Sequence, residues 1–338
     1  MLLTDSIPSV FTYDPCSEDE RSSSCHSDTD NTEDDLDDGR SEDDRGSRHS
    51  SSSDYRCDVT WFRDHVERIV FRLSKDYTFE SQVHGSEEVM VYRARTTSSG
   101  EPVCIKVREC SSRNQGVPVE VILLKHIATQ QDIRNDGMQQ LQAYYQHDGM
   151  CAMVTPFYQS SPHWFEELSE KGPVAIRDFI KQLLDIISRL HDMGIMWRDC
   201  KPSNMVMVPP AQVEGDKFVG GKLVAIDFDL GYYSQCPKEC TRSSVLGTDG
   251  FMSTLVLDKH ARYGFDQDYY TAGVCLGMLM YNVSENHVNI DSVKQWKKDI
   301  DDDKHVGDPQ LRNLFKDLTN TEPDGVSRLR SDFACSLS

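Results

Sequence analysis

Within eight residues, Trp197-Arg198-Asp199-Cys200-Lys201-Pro202-Ser203-Asn204, the chain places an acid, a base and a side-chain amide. An apolar run follows at 205–208, and then comes Ala225-Ile226-Asp227-Phe228-Asp229. Phosphoryl transfer needs such parts: a carboxylate beside the attacking hydroxyl, a cation near the moving phosphate, and hard oxygen ligands for Mg²⁺. Asn204 and Asp227 supply that ligand set if two strands hold them side by side. Singly, each has an ordinary structural reading: Asp199 as a turn residue, Asn204 as a turn cap. Only the whole set, in order and on the right elements, separates the two readings.

Phe62, Val66, Ile69, Val70 and Leu73 recur at helical spacing, which predicts a short amphipathic helix. From 77 to 107 the runs YTFESQV, VMVYRAR and PVCIKV read as three antiparallel strands, separated by the turn material HGSEE and TTSSGE. A helical stretch is expected at 117–127, then a polar span, then a strand in CAMVTPF. From about Val174, Ile176, Phe179, Ile180, Leu183, Leu184, Ile187 and Leu190 form an apolar stripe of helical period. MVMV and KLVAIDF read as a small sheet beside that helix, and the chain is helical again beyond Asp268. A β-rich part followed by a helical part predicts an α+β fold with two lobes.

The formal charge is −20, from 36 basic and 56 acidic residues, which argues against nonspecific binding to nucleic acid or anionic membrane. Residues 1–55 hold 16 acidic against 4 basic residues and few branched apolar ones. Such a segment buries too little apolar surface to offset its ordering entropy and is expected to be a disordered tail. It reads either as a solubilising segment or as a Ser-rich target for a regulatory kinase. No apolar run approaches the roughly 20 residues of a membrane span, and the N-terminus lacks the basic region of a signal peptide. Eleven scattered cysteines fit a reduced intracellular protein, cytoplasmic or nuclear. The expected division is a tail at 1–55, a linker with a short helix at 56–76, and a domain at 77–338 with lobes at 77–158 and 159–338.

The segment 197–204 resembles the catalytic loop of eukaryotic protein kinases, H-R-D-L-K-P-x-N, with Trp197 in the His position. Val103-Cys104-Ile105-Lys106 is similar to V-A-I-K, and Glu120 stands where the ion-pairing Glu of the next helix belongs. Gly247-Thr248-Asp249-Gly250-Phe251-Met252 resembles the end of the activation segment. Asp268 with Gly273 matches the start of a later helix, and Arg328 is a weaker match to a late helical Arg. The resemblance spans about 77–338. It implies a bilobal kinase fold, ATP and Mg²⁺ as cofactors, and a protein substrate. It implies Asp199 as catalytic base, Lys201 at the γ-phosphate, Lys106 at the α/β-phosphates held by Glu120, and Asn204 and Asp227 on the metal. Val83, Val91, Cys104 and Val206 would enclose the adenine ring, with Thr155, Pro156, Phe157 and Tyr158 as the hinge. Without the resemblance, Lys106 reads as a strand-end lysine and Glu120 as an exposed helix acid.

Several positions depart from the family pattern. The glycine-rich loop reads His84-Gly85-Ser86-Glu87-Glu88-Val89-Met90-Val91, with one glycine out of register, which predicts weaker ATP binding. D-F-G reads Asp227-Phe228-Asp229, where Asp229 either restricts the segment or adds an oxygen near the metal. Trp197 is expected to pack in the core. A-P-E reads Ser253-Thr254-Leu255, which predicts a looser substrate platform, and 208–221 reads as a hairpin insertion. Arg198 is placed to clamp a phosphate on Thr241, Ser243 or Ser244, and Cys236 and Cys240 read as unpaired thiols. The leading expectation is an active Ser/Thr protein kinase. The alternatives are a pseudokinase scaffold and a small-molecule kinase of the choline- or aminoglycoside-kinase type, to which Ile226-Asp227-Phe228-Asp229 is similar.

Overall fold

The computed structural model describes residues 59–110, 116–130, 136–209, 221–233, 246–257, 264–304 and 307–320. The tail, Thr241, Ser243, Ser244, Cys236, Cys240, Arg328 and most of the expected hairpin insertion lie outside the described residues. All described residues belong to one compact unit, 56–338.

The described residues begin with helix α1 (Val59–Leu73), then strands β1 (Tyr77–Gly85), β2 (Val89–Thr96) and β3 (Pro102–Glu109). Helix α2 (Val119–Thr129) and strands β4 (Ala143–His147) and β5 (Met150–Pro156) complete an antiparallel sheet ordered β1-β2-β3-β5-β4. Alternation along β3 gives the sheet two faces. Val103, Ile105 and Val107 point back into a cluster with Phe62, Val66, Ile69 and Leu73 of α1 and Met150, Ala152 and Val154 of β5. Cys104 and Lys106 point the other way. The helix expected in a linker ahead of the domain is therefore the back wall of its sheet, because its apolar stripe has no other place to be buried.

Strand β4 falls in what reads as a polar span. Its signal is the two-residue turn Asp148-Gly149, with φ of 48° and 75°, between the paired His147 and Met150. Positive φ at both central residues is the type I′ arrangement, which Asp-Gly favours.

The helical half begins earlier than the stripe from Val174 predicts, with α3 (Trp164–Lys171) before α4 (Pro173–Asp192). Strand β6 (Ile195–Met196) pairs with β9 (Tyr232–Tyr233), and β7 (Met205–Val208) pairs with β8 (Lys222–Ala225), the expected small sheet. The remaining α-helices among the described residues are the short α5 (Thr254–Leu257), α6 (Asp266–Tyr281), α7 (Ile290–Asp301) and α8 (Pro309–Thr319). Helix α6 is buried on nearly every side, packing with α4 and α8. Among the described residues no helix is long and apolar enough to cross a membrane.

Candidate active site

The register brings the sheet's contribution together. Val91 pairs with Lys106 across β2 and β3, and Cys104 pairs with Thr155 across β3 and β5, so these four share the face opposite α1. Val91, Cys104 and Val206 are half-buried. Val83 differs: it sits at a bulge in β1 and is 57% exposed. Burial pushes the Cys104 thiol up to about 11, so the thiol is uncharged at neutral pH. At the hinge the Phe157 N–H donates to the Pro102 carbonyl at 3.1 Å, and Arg93 lies 4.8 Å over the Phe157 ring.

Lys106 Nζ donates to three carboxylates: Glu120 at 2.8 Å, Asp229 at 2.7 Å and Asp227 at 3.1 Å. Arg108, two residues along the same face of β3, also holds Asp229. Burial opposes the charged lysine, but the surrounding acids outweigh it and Lys106 is raised well above its ordinary value. Burial pushes the Glu120 carboxyl up and its two acidic neighbours add to this, against the pull of Lys106. For Asp229, burial is overcome by Lys106 and Arg108, which hold it below the usual carboxylate value. The acids around Lys106 favour its charge, whereas burial first, and the neighbouring acids second, disfavour the charge on Glu120.

Glu120 does a second job, accepting the Phe228 N–H at 3.2 Å. Phe228 stacks on Trp197 with ring centroids 5.8 Å apart, and Trp197 Nε1 donates to the Asp227 carbonyl at 3.1 Å. Trp197 is thus the packing residue its aromatic character predicts. The Asp229 carboxylate is engaged by Lys106 and Arg108, and its N–H reaches Asp227 Oδ1 at 3.3 Å, while carboxylate oxygens of Glu120, Asp227 and Asp229 all lie within 4.8 Å of one another, close enough to share a metal ion.

In the catalytic loop, Asp199 is framed by three groups. Lys201 Nζ lies 3.0 Å from its carboxylate, the Thr248 hydroxyl donates to it at 2.5 Å, and Asn204 Nδ2 donates to it at 2.7 Å. Lys201 also donates to Thr248 at 2.7 Å. With its NH₂ turned to Asp199, Asn204 keeps the carbonyl Oδ1 as a metal acceptor. Its backbone carbonyl accepts the Ile226 N–H at 2.9 Å, which sets it beside the strand end carrying Asp227. These oxygens are hard donors that suit Mg²⁺.

Two site residues carry positive φ, Arg198 at 69° and Asp227 at 60°, a backbone state that non-glycine residues adopt only when held. Asp268 does the holding at Arg198. Its buried carboxylate accepts the Trp197 and Arg198 N–H groups at 2.9 and 2.8 Å and contacts His191 Nε2 at 2.9 Å. The one-turn 3₁₀ helix Pro202–Asn204 is capped from a distance by Glu285, which accepts both Ser203 N–H and Oγ–H at 2.9 and 2.7 Å.

Where A-P-E is replaced by Ser253-Thr254-Leu255, Gln267 of α6 holds the neighbouring backbone. Gln267 accepts the Ser253 N–H at 3.3 Å and donates to the Phe251 carbonyl at 3.0 Å, with Thr271 beside it. In the β1–β2 turn, Ser86 Oγ accepts the Glu88 and Val89 N–H groups at 3.3 and 3.1 Å, and Glu87 and Glu88 are exposed. Backbone donors that a glycine-rich loop would offer to phosphate are here used within the turn. Arg108, Gln139 and Glu285 join the site without having been read from sequence. Arg108 alone carried a local signal, its two-residue offset from Lys106.

A family model described as protein kinase domain matches residues 84–328. Calcium/calmodulin-dependent protein kinase type IV of Homo sapiens is 24% identical over 211 residues, covering 62% of this chain and 41% of that protein. Calcium-dependent protein kinase 5 of Solanum tuberosum is 32% identical over 162 residues, 46% of this chain and 28% of its own length. Calcium-dependent protein kinase 26 of Arabidopsis thaliana is 31% identical over 169 residues, 47% and 32% respectively. The chain spans less than half the length of these relatives. The family match takes in strands β2 to β5, the catalytic loop and the helical half, and the chain belongs to the protein kinase domain family.

Proposed function

We propose that the chain is a protein serine/threonine kinase that uses ATP and Mg²⁺. The observation that carries this reading is the Asp199 carboxylate framed by Lys201, Thr248 and Asn204. In this reading Lys106 aligns the α/β-phosphates, and Val91, Cys104 and Val206, with Val83 at the rim and Thr155 and Phe157 at the hinge, line the adenine site. The substrate hydroxyl donates to Asp199, its oxygen attacks the γ-phosphorus, the proton passes to Asp199, and ADP leaves. Lys201 offsets charge growing on the γ-phosphoryl oxygens. Asn204 and Asp227 hold Mg²⁺, which neutralises phosphate charge when bound. The relatives are named as protein kinases, which supports a protein hydroxyl as acceptor. In the whole chain we take the acidic Ser-rich tail, 1–55, as a target of a regulatory kinase and the protein as intracellular.

One observation favours a second reading, a pseudokinase scaffold with weak or no turnover: the β1–β2 turn spends N–H groups on Ser86 that a glycine-rich loop would offer to phosphate. Mg²⁺-dependent phosphate transfer to a generic Ser/Thr substrate separates the two. Asp199→Asn is expected to lose about 10²–10⁴-fold in rate while retaining ATP binding. Equal background turnover in wild type and variant, with ATP still bound by both, establishes the second reading instead.

A further inference from the structure

Gln139 lies outside every motif the family shares, in the stretch that leads into β4, yet its side chain reaches two parts of the site. It is buried, 8% exposed. Its Nε2 donates to Thr155 Oγ1 at 3.0 Å, and its Oε1 accepts the Asp227 N–H at 3.2 Å. Its own backbone is fixed, with the N–H donating to the Ala225 carbonyl at 2.9 Å beside the Met138–Ala225 bridge. One amide thus joins the last buried residue of β5, on the wall shared with Cys104, to the backbone of the acid at the end of β8.

Both ends matter to the site. Asp227 holds a φ of 60°, and its N–H is one of the few groups that can fix that state from outside. A primary amide suits the task because it offers a donor and an acceptor at once, and no apolar side chain of the same size offers either. A buried amide with both ends used is also costly to replace, since each abandoned partner is left unpaired.

We propose that Gln139 is a positioning residue that couples the adenine wall at Thr155 to the metal-binding Asp227, so that filling the purine site tightens the hold on the divalent ion. This rests on the kinase reading above. Movement or ordering of Thr155 on contact with a purine passes along two hydrogen bonds to the Asp227 backbone, and from there to the direction of its carboxylate. By linkage the effect is reciprocal: the metal tightens binding of the purine by the same factor.

The test uses the full chain with Mn²⁺ as probe, its bound fraction read from the EPR signal, with and without adenosine. Adenosine has no phosphate to ligate the ion, so any change in Mn²⁺ affinity passes through the protein. Adenosine is expected to tighten Mn²⁺ binding by roughly fivefold in wild type, the lower end of usual site-to-site coupling. That factor should fall to one in Gln139→Leu at adenosine concentrations that still saturate the variant. Gln139→Glu keeps acceptors for both Asp227 N–H and the Thr155 hydroxyl and should retain the factor. In the metal-free protein, amide hydrogen exchange at Asp227 should speed up in Gln139→Leu and not in Gln139→Glu. A purely structural role would lower the melting temperature of Gln139→Leu without touching the adenosine factor, and that result overturns the proposal. So does a wild type that binds Mn²⁺ with ADP but shows no adenosine factor, while the kinase reading stands. A wild type with no metal-dependent ADP binding overturns the kinase reading and this proposal together.

Discussion

Asp229 occupies the position where the family pattern has its flexible glycine, and the structure gives it two cationic partners, Lys106 and Arg108. Because its folded-state pKa is depressed, these pairs stabilise the fold fully above the ordinary carboxylate value of 3.8 and lose that effect as pH falls through the lowered one. Asp229→Asn is therefore expected to melt lower than wild type at pH 7, by an amount worth about 1 kcal/mol. The gap should close as the pH is brought below 4, and differential scanning calorimetry across that range checks it. A gap that stays constant with pH would show that the ion pairs contribute nothing. The loss of the glycine was legible in the sequence, which left Asp229 either a restraining role or a place near the metal. The partner Arg108 was not read, although strand alternation from Lys106 puts it on the same face. Gln139 and Glu285 had no local signal at all, since a long-range hydrogen bond leaves no periodicity or spacing behind.

At the scale of elements, α1 shows how far periodicity reaches. The spacing of Phe62, Val66, Ile69 and Leu73 gives a helix with one apolar face, but only the fold shows that face lying on β3 and β5. Phe62→Ala opens a cavity in that cluster and should cost about 3–5 kcal/mol. Phe71→Ser on the same helix should cost little, because Phe71 is 77% exposed. Thermal melts of the two variants make the comparison; equal losses would mean that α1 does not pack as described. The strands β1, β2, β3 and β5 follow from β-branched runs between good turns. Strand β4 escaped because AYYQH is short and half-polar, and the decisive signal was the Asp-Gly turn after it. Helix α3 escaped for a related reason: eight residues give too few turns for a stripe to stand out.

Across the whole molecule, α6 is the element on which the helical half is assembled. Gly277 lets it approach its neighbours: a Cβ there would stand 2.5 Å from the Trp296 ring and 2.8 Å from that of Phe315. Gly277→Ala is expected to destabilise by about 1–3 kcal/mol through overpacking, read as a fall in melting temperature of roughly 2–4 °C per kcal/mol for a domain of this class. An unchanged melt would mean that the two rings yield at no cost. The same helix carries Asp268, whose carboxylate holds the backbone of Trp197 and Arg198 in place. That bond joins residues 70 positions apart, which has a consequence for how the protein is made. At about 5–20 residues per second on the ribosome, the loop bearing Asp199 is synthesised roughly 4–14 s before the side chain that fixes it. The sheet, with α1 already laid against its back, can be complete on a nascent chain that has as yet no fixed catalytic loop.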